Sequence, residues 1–181
     1  PAEGRDLAFS PDGNYVAVFG RTERTRSLIL LDVRKGGIAK KYDIELPVDQ
    51  ATQPAYAPDG NSVYFQAVAN KQFDIFRIDL ATGGVSNITN DEHYDAAPTV
   101  SPDGAKLVVT CAAAESTVVV LDAVSSRTIA TIPAGHTATS PVIDPDGQVV
   151  GRYRKMFPFQ PYENHVQPGT EFLVFDVPDV G

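Results

Sequence analysis

Six consecutive residues, Asn90-Asp91-Glu92-His93-Tyr94-Asp95, form the densest group of side chains in the chain that could ligate a metal or move a proton. Carboxylate oxygens suit hard cations and imidazole suits zinc, so a site there is chemically possible. No helical or strand spacing gathers these groups, however, and an acidic link between strands explains them without a ligand. We therefore expect no metal and no cofactor. His136, in Ala134-Gly135-His136-Thr137, occupies the corresponding link one repeat later, and His165 falls in a further loop. Both read as solvated loop residues. Arg21-Thr22-Glu23-Arg24-Thr25-Arg26 has the donors to grip a carboxylate or phosphate. A solvated loop is the plainer reading of such a charge run. Cys111, in Val109-Thr110-Cys111-Ala112, reads as a small hydrophobe at a buried strand end. There is no Gly-x-Ser-x-Gly elbow and no Gly-x-Gly-x-x-Gly or Gly-Lys-Ser phosphate loop. With no complete catalytic constellation, the chain reads as a binding module rather than an enzyme.

The elements that must position these residues are set by one recurring stretch. Ser10-Pro11-Asp12-Gly13 returns as Ala57-Pro58-Asp59-Gly60, Ser101-Pro102-Asp103-Gly104 and Asp144-Pro145-Asp146-Gly147. Proline presets φ for a type I turn, Asp bonds nearby backbone, and Gly turns the chain into the next strand. Each copy is therefore a hairpin tip. The prolines at 11, 58, 102 and 145 recur with a period of roughly 45 residues, as propeller blades do. Four strands, a to d, fit each repeat. In the first they cover 6–9, 15–19, 28–33 and 38–44; in the second 54–56, 62–68, 73–80 and 85–88; in the third 99–100, 106–110, 117–123 and 128–132. Strand c ends in a second turn signal, Asp32-Val33-Arg34-Lys35-Gly36, Asp79-Leu80-Ala81-Thr82-Gly83 and Asp122-Ala123-Val124-Ser125-Ser126.

The reading is an all-β propeller of about four four-stranded blades, near residues 5–48, 54–91, 98–133 and 140–181. In the last, a Pro-rich insertion over 156–169 precedes Phe175-Asp176-Val177, and no strand d follows. The blade is incomplete, so the ring is partial or completed by oligomerisation, with open sheet edges at Leu7 and Phe175. Strand direction puts the tips and c–d turns on one face, with Asp12, Asp59, Asp103, Asp146, Asp32, Asp79, Asp122 and Asp176. The b–c loops and d–a links share the other. There Arg21, Arg24, Arg26, Lys71, Arg154 and Lys155 imply a more basic surface, joined by His93, His136 and His165.

A formal net charge of -8 argues against nucleic acid as a partner. No apolar run approaches the roughly 20 residues of a membrane helix, so a soluble chain without membrane insertion is expected. It begins at Pro1 with no secretory pattern, which reads as a processed, excised or incomplete chain. Composition leaves its compartment open.

The repeats resemble the TolB-like, WD-related propeller repeats of periplasmic Tol-system proteins and of prolyl-oligopeptidase-type propeller domains. Phe73-Asp74-Ile75-Phe76-Arg77-Ile78-Asp79-Leu80-Ala81-Thr82-Gly83-Gly84, then Tyr94-Asp95-Ala96-Ala97-Pro98 and Ser101-Pro102-Asp103-Gly104, carry the likeness, which runs to about residue 133. It implies a propeller and an extracytoplasmic, periplasmic setting, but little about function. A second resemblance covers 140–181. Ser140-Pro141-Val142-Ile143-Asp144-Pro145-Asp146-Gly147 and Tyr153-Arg154-Lys155 look like carbon–nitrogen hydrolases of the nitrilase and amidase group. There Lys155 would be the catalytic lysine, alongside a glutamate and a nucleophilic cysteine that follows it. Cys111 precedes Lys155, so the order is wrong, and lysine alone cannot run the chemistry. A join between 133 and 141 would reconcile the two, and a regular fourth-blade hairpin would count against it.

Three functions follow. The first is a non-catalytic scaffold binding a protein or peptide on its loop face through Arg21, Arg24, Arg26, His93, Tyr94, Asp95, His136 and His165. The second is the gating propeller of a peptidase. The third is a fragment or chimera containing part of a carbon–nitrogen hydrolase.

Overall fold

The computed structural model describes residues 6–21, 25–112, 116–135, 138–144 and 148–154, with backbone only at 135, 138–143 and 150–154. Arg24, His136, His165, Lys155, Asp146, Asp176 and Phe175 lie outside the described residues.

Every element among them is a β-strand. Blade 1 runs β1 (Leu7–Phe9), β2 (Tyr15–Arg21), β3 (Arg26–Asp32) and β4 (Gly37–Ile44). Blade 2 runs β5 (Val48–Tyr56), β6 (Ser62–Ala69), β7 (Gln72–Asp79) and β8 (Val85–Asn87). Blade 3 runs β9 (Tyr94–Val100), β10 (Lys106–Ala112), β11 (Ser116–Asp122) and β12 (Thr128–Gly135). Each is a four-stranded antiparallel meander in sequence order. A fourth begins as the hairpin of β13 (Ala138–Ile143) and β14 (Val149–Arg154). The innermost strands adjoin one another in series, β1 with β5, β5 with β9 and β9 with β13. The hairpin thus takes the place of a regular fourth blade, which counts against a join between 133 and 141. Among the described residues no helix is long and apolar enough to cross a membrane.

Two turn types, repeated, fix the hairpins. At the a–b tips, Gly13, Gly60 and Gly104 donate to the carbonyls of Ser10, Ala57 and Ser101 at 2.8–2.9 Å. The central Asp caps the loop: Asp12 accepts from the Asn14 backbone at 3.0 Å, Asp59 from Asn61 at 2.9 Å, and Asp103 from Ala105 at 2.9 Å. At the c–d turns, Asp32, Asp79 and Asp122 each accept from the two amides that follow two and three residues later. Hydrogen bonds to the ionised form, chiefly from Ser10, hold the Asp12 carboxyl down at about 2. Similar bonds lower Asp32, Asp79, Asp103 and Asp122. These carboxylates stay charged because the bonds they accept within the turns favour the ionised form.

The core lies between blades, not within them. A lone four-stranded sheet cannot bury either face, so each blade covers its neighbour. Between blades 1 and 2, Ala17, Phe19, Leu28 and Leu30 meet Val63, Phe65, Phe76 and Ile78. Phe65 sits 5.0 Å from Phe19 and 5.8 Å from Phe76, centroid to centroid. Between blades 2 and 3, Tyr64 and Ile75 meet Leu107, Val109 and Leu121. Beyond blade 3, Val108, Val118 and Val120 form a third cluster against which Val149 of β14 packs.

The c–d turns carry one mismatch. Each closes on a residue with positive φ, Gly36 at 70° and Gly83 at 76°, but the third uses Ser126 at 59°. A Cβ in that region costs free energy that glycine avoids. Ser126→Gly should therefore raise stability by about 0.5–1 kcal/mol net of the greater freedom of the unfolded chain, read as a higher urea midpoint at unchanged slope. A lower midpoint would show that the Ser126 side chain contributes more than its strain costs.

Candidate functional site

The b–c loops and d–a links share the end of the sheets opposite the Pro-Asp-Gly tips. Between β6 and β7 the chain reverses in two residues, Asn70 and Lys71, with φ of 53° and 67°. This is the type I′ geometry that matches strand twist, and Asn is suited to its first position. The tight reversal sets Gln72 and Phe73 beside the link from β8 to β9. The Gln72 side-chain amide donates to the His93 carbonyl. The Phe73 ring lies 5.6 Å from that of Tyr94, tilted by 46°. The His93 backbone donates to Asp91 Oδ1 at 2.7 Å, and His93 Nδ1 lies 3.1 Å from the same oxygen. Tyr94 is 51% exposed. The result is an aromatic pair, Tyr94 exposed and Phe73 half-buried, beside a half-exposed imidazole and carboxylate.

Two residues expected in that link are elsewhere. Tyr94 and Asp95 open β9, and Asp95 lies opposite Cys111 on β10. Asp95 is 2% exposed, so it is part of the core and cannot meet a partner. Burial pushes its carboxyl up, against hydrogen bonding from Thr89 and Cys111, which favours the ionised form. Burial, with Asp95 nearby, pushes the Cys111 thiol up to about 11, so it stays protonated and unreactive at neutral pH. The misplacement has a physical cause. Strand a was expected to begin at 99, yet β9 starts at Tyr94 because a bulge near Ala97, with φ of 52°, lets pairing resume upstream. A bulge breaks the alternation from which a strand is read.

Arg21 ends β2 and Arg26 begins β3, where they pair across blade 1's b–c loop, a different blade from the His93 group. Among the described residues, Arg21, Arg26, Lys71 and the backbone of Arg154 share that end with Glu45, Asp49, Asp91 and Glu92. Among the described residues no three His, Cys, Asp or Glu side chains converge on a point where an ion could sit.

Two features had no sequence signal. Along the channel, the Gln53 amide donates to Asp6 Oδ2 at 3.2 Å, and the Ala97 amide donates to Gln53 Oε1 at 2.7 Å. Gln53 and Ala97 both have positive φ, which turns each N–H from its own ladder toward the preceding blade. The strain is offset by a bond that ties one blade to the next. Separately, a groove of about 730 Å³ runs between blades 1 and 2 on the tip face, lined by Tyr15, Tyr42, Tyr56, Lys40, Pro11 and Pro58. Tyr42 Oη donates to the Leu80 carbonyl at 2.8 Å there, and the Tyr56 hydroxyl is buried without a partner.

Tandem four-stranded blades joined through their innermost strands, with Pro-Asp-Gly tips, match the family model described as the TolB beta propeller domain over residues 5–156. The chain belongs to that family. Uncharacterized protein Atu1656 of Agrobacterium fabrum is 30% identical over 99 residues, covering 55% of this chain and 33% of that one. Tol-Pal system protein TolB of Francisella tularensis subsp. tularensis is 42% identical over 59 residues, covering 32% and 13%. In fold, the chain is similar to a TolB structure from Agrobacterium tumefaciens, with TM-score 0.60 and 24% identity over 79% of this chain and 57% of that one. It is also similar to hydrazine synthase of Kuenenia stuttgartiensis, with TM-score 0.63 and 21% identity over 80% and 53%. This TolB-family chain thus spans a third or less of these curated relatives and about half of the solved chains. The family match runs through Tyr153-Arg154-Lys155, so the propeller repeat accounts for that part of the hydrolase resemblance, and no finding supports a carbon–nitrogen hydrolase segment.

The buried Asp95 gives a pH signature. Its folded-state pKa is raised, so its contribution favours folding below the unfolded value near 3.8 and is lost as pH rises through the folded value. Asp12, Asp32, Asp79, Asp103 and Asp122, whose folded-state values are lowered, act in the opposite sense, their stabilisation being lost as pH falls through those folded values. Asp95→Asn keeps an acceptor and removes the charge. Its stability relative to wild type should therefore increase from pH 3 to pH 7, measured by urea midpoints at each pH. A difference constant with pH would mean the carboxyl ionises as in the unfolded chain.

Proposed function

We propose that the chain is a non-catalytic TolB-like interaction module that binds a protein segment on its loop face. The observation carrying this reading is the Phe73–Tyr94 pair beside His93 and Asp91, held in place by the Gln72 bond to the His93 carbonyl. Half-exposed tyrosines next to polar groups that can donate and accept are what protein interfaces use as anchors. Relatives named as Tol-Pal system proteins support a protein partner. Arg21 and Arg26 of the neighbouring blade would add carboxylate contacts from a partner long enough to cross the channel mouth.

A peptidase propeller is the second reading, supported in fold alone by the propeller domain of the Trilobed protease of Pyrococcus furiosus, with TM-score 0.54 and 16% identity. The two differ in what the loop face does. A scaffold holds a ligand there, whereas a gate lets chains pass.

Peptides selected from a random library against the folded chain should bind with affinities that Tyr94→Ala weakens by about tenfold or more, as loss of an interface anchor does. Binding should also slow hydrogen exchange over residues 90–96. Peptides that bind with full affinity to Tyr94→Ala and leave that segment unprotected would place recognition on another face.

A further inference from the structure

The groove of about 730 Å³ between blades 1 and 2 traces to one position in the repeat. Six residues after the tip proline, strand b of blade 2 carries Tyr64, which is buried in the seam with blade 3 and donates its hydroxyl to the Ala123 carbonyl at 3.2 Å. The same position in blade 1 is Ala17, likewise buried toward the following blade. A methyl group leaves open the space that a phenol ring fills one seam further on. Leu30, paired with Ala17 across β2 and β3, lines the groove in its place. The carbonyl equivalent to that of Ala123, at Leu80, is reached instead by Tyr42 from the outer strand β4, at 2.8 Å. The opening is thus walled by tyrosine rather than filled by it, and its size is that of a ligand pocket.

The chemistry of the lining is selective. Tyr15, Tyr42 and Tyr56 border the groove, and the Tyr56 hydroxyl is buried with no hydrogen-bond partner. A buried hydroxyl in that condition is uncommon, because it has given up its bonds to water. Burial first, then Tyr42, Asp12 and Tyr15 nearby, push it up to about 12, so it keeps its proton and offers both a donor and an acceptor. Two hairpin tips meet at the mouth. Pro11 Cδ stands 3.9 Å from where a Cβ on Gly60 would be, which brings Asp12 and Asp59 to one opening. Both are exposed, and neither is ion-paired among the described residues. The one cation of the lining, Lys40, rests over the Tyr42 ring with Nζ 5.5 Å from its centroid. A tyrosine face here already carries a positive charge.

We propose that this groove binds the arginine side chain of a partner protein segment, at a site on the face opposite the Phe73–Tyr94 patch and independent of it. Two carboxylates against one ammonium favour a cation. A guanidinium is planar and weakly hydrated, so it stacks on tyrosine faces at little desolvation cost. Its five donors in a rigid fork serve the Tyr56 hydroxyl oxygen and a carboxylate of Asp12 or Asp59 together. An ammonium is compact, strongly hydrated and has no flat face to stack. The groove is larger than one side chain, and Ala39, Pro58 and Leu80 provide apolar wall for the residues that flank the arginine, which fits a peptide rather than a free small cation.

The probe is a blocked pentapeptide, Ala-Pro-Arg-Pro-Ala, whose prolines hold it extended. In amide NMR titrations of the chain at low salt it should give saturable shifts at Asp12, Asp59 and Gly60 with a Kd of about 1 mM or tighter. The same peptide with citrulline, the neutral isostere, should bind about tenfold more weakly or worse. Tyr56→Phe should weaken binding by about two- to fivefold while leaving the urea midpoint unchanged or higher, because the hydroxyl it removes has no partner in the free chain. A lower midpoint would mean that the hydroxyl is already engaged and would overturn its role. Asp59→Asn, which still accepts from the Asn61 amide, should weaken binding by a similar factor, and Lys40→Gln should leave it unchanged or tighten it by removing a like charge. No saturable shift, shifts confined to residues 90–96, equal binding of the citrulline peptide, or binding undiminished in both Tyr56→Phe and Asp59→Asn overturns the proposal. So does binding weakened in Lys40→Gln, which would make the groove an anion site, or free arginine amide binding as tightly as the peptide, which would make it a small-molecule site.

Discussion

A four-stranded antiparallel sheet with apolar residues on both faces cannot satisfy itself. It has no interior, only two surfaces, and the hydrophobic free energy becomes available when another sheet lies across each of them. Everything else here follows from that. Phe65 is fully buried because Phe19 approaches from blade 1 and Phe76 lies beside it in blade 2. Repetition is therefore the mechanism of folding, since each blade is the core of the next.

The seams would be weak if blades could slide along one another, and polar contacts oppose sliding. Gln53 takes a bond from Ala97 and gives one to Asp6, so three successive inner strands are registered through backbone amides. Tyr42 and Tyr64 reach across the seams to the carbonyls of Leu80 and Ala123. The bond from Ala97 to Gln53 and those of the two tyrosines are buried or partly buried, where directional contacts discriminate one register from another. The turns do separate work. Asp12, Asp32, Asp79, Asp103 and Asp122 remain ionised because they accept bonds from turn hydroxyls and backbone amides, so their negative charge is a by-product of how the hairpins close.

Functional freedom is left at the opposite end. There the loops need no repeated capping, and blade 2 uses only Asn70 and Lys71 to turn. That economy brings Phe73 against Tyr94 and Gln72 against the link, making a patch from two strand ends and one connection. The family carries the scaffold.

Much of the fold was legible in the chain itself. Pro-Asp-Gly at 11, 58, 102 and 145 marked the hairpin tips, and Asp32, Asp79 and Asp122 marked the second turn, because turn conformation is decided by neighbours in sequence. Strands b and c were placed within a few residues for the same reason, alternation and β-branched content being local. The site was less legible. Asp95 looked like the end of an exposed acidic run and is buried in β9, since a bulge at Ala97 lengthens that strand and pairing with β10 depends on residues over a dozen positions away. Sequence determined where the chain turns and which residues are apolar. Only the packing of blades decided which apolar faces are covered, because burial belongs to pairs of sheets and not to any one of them.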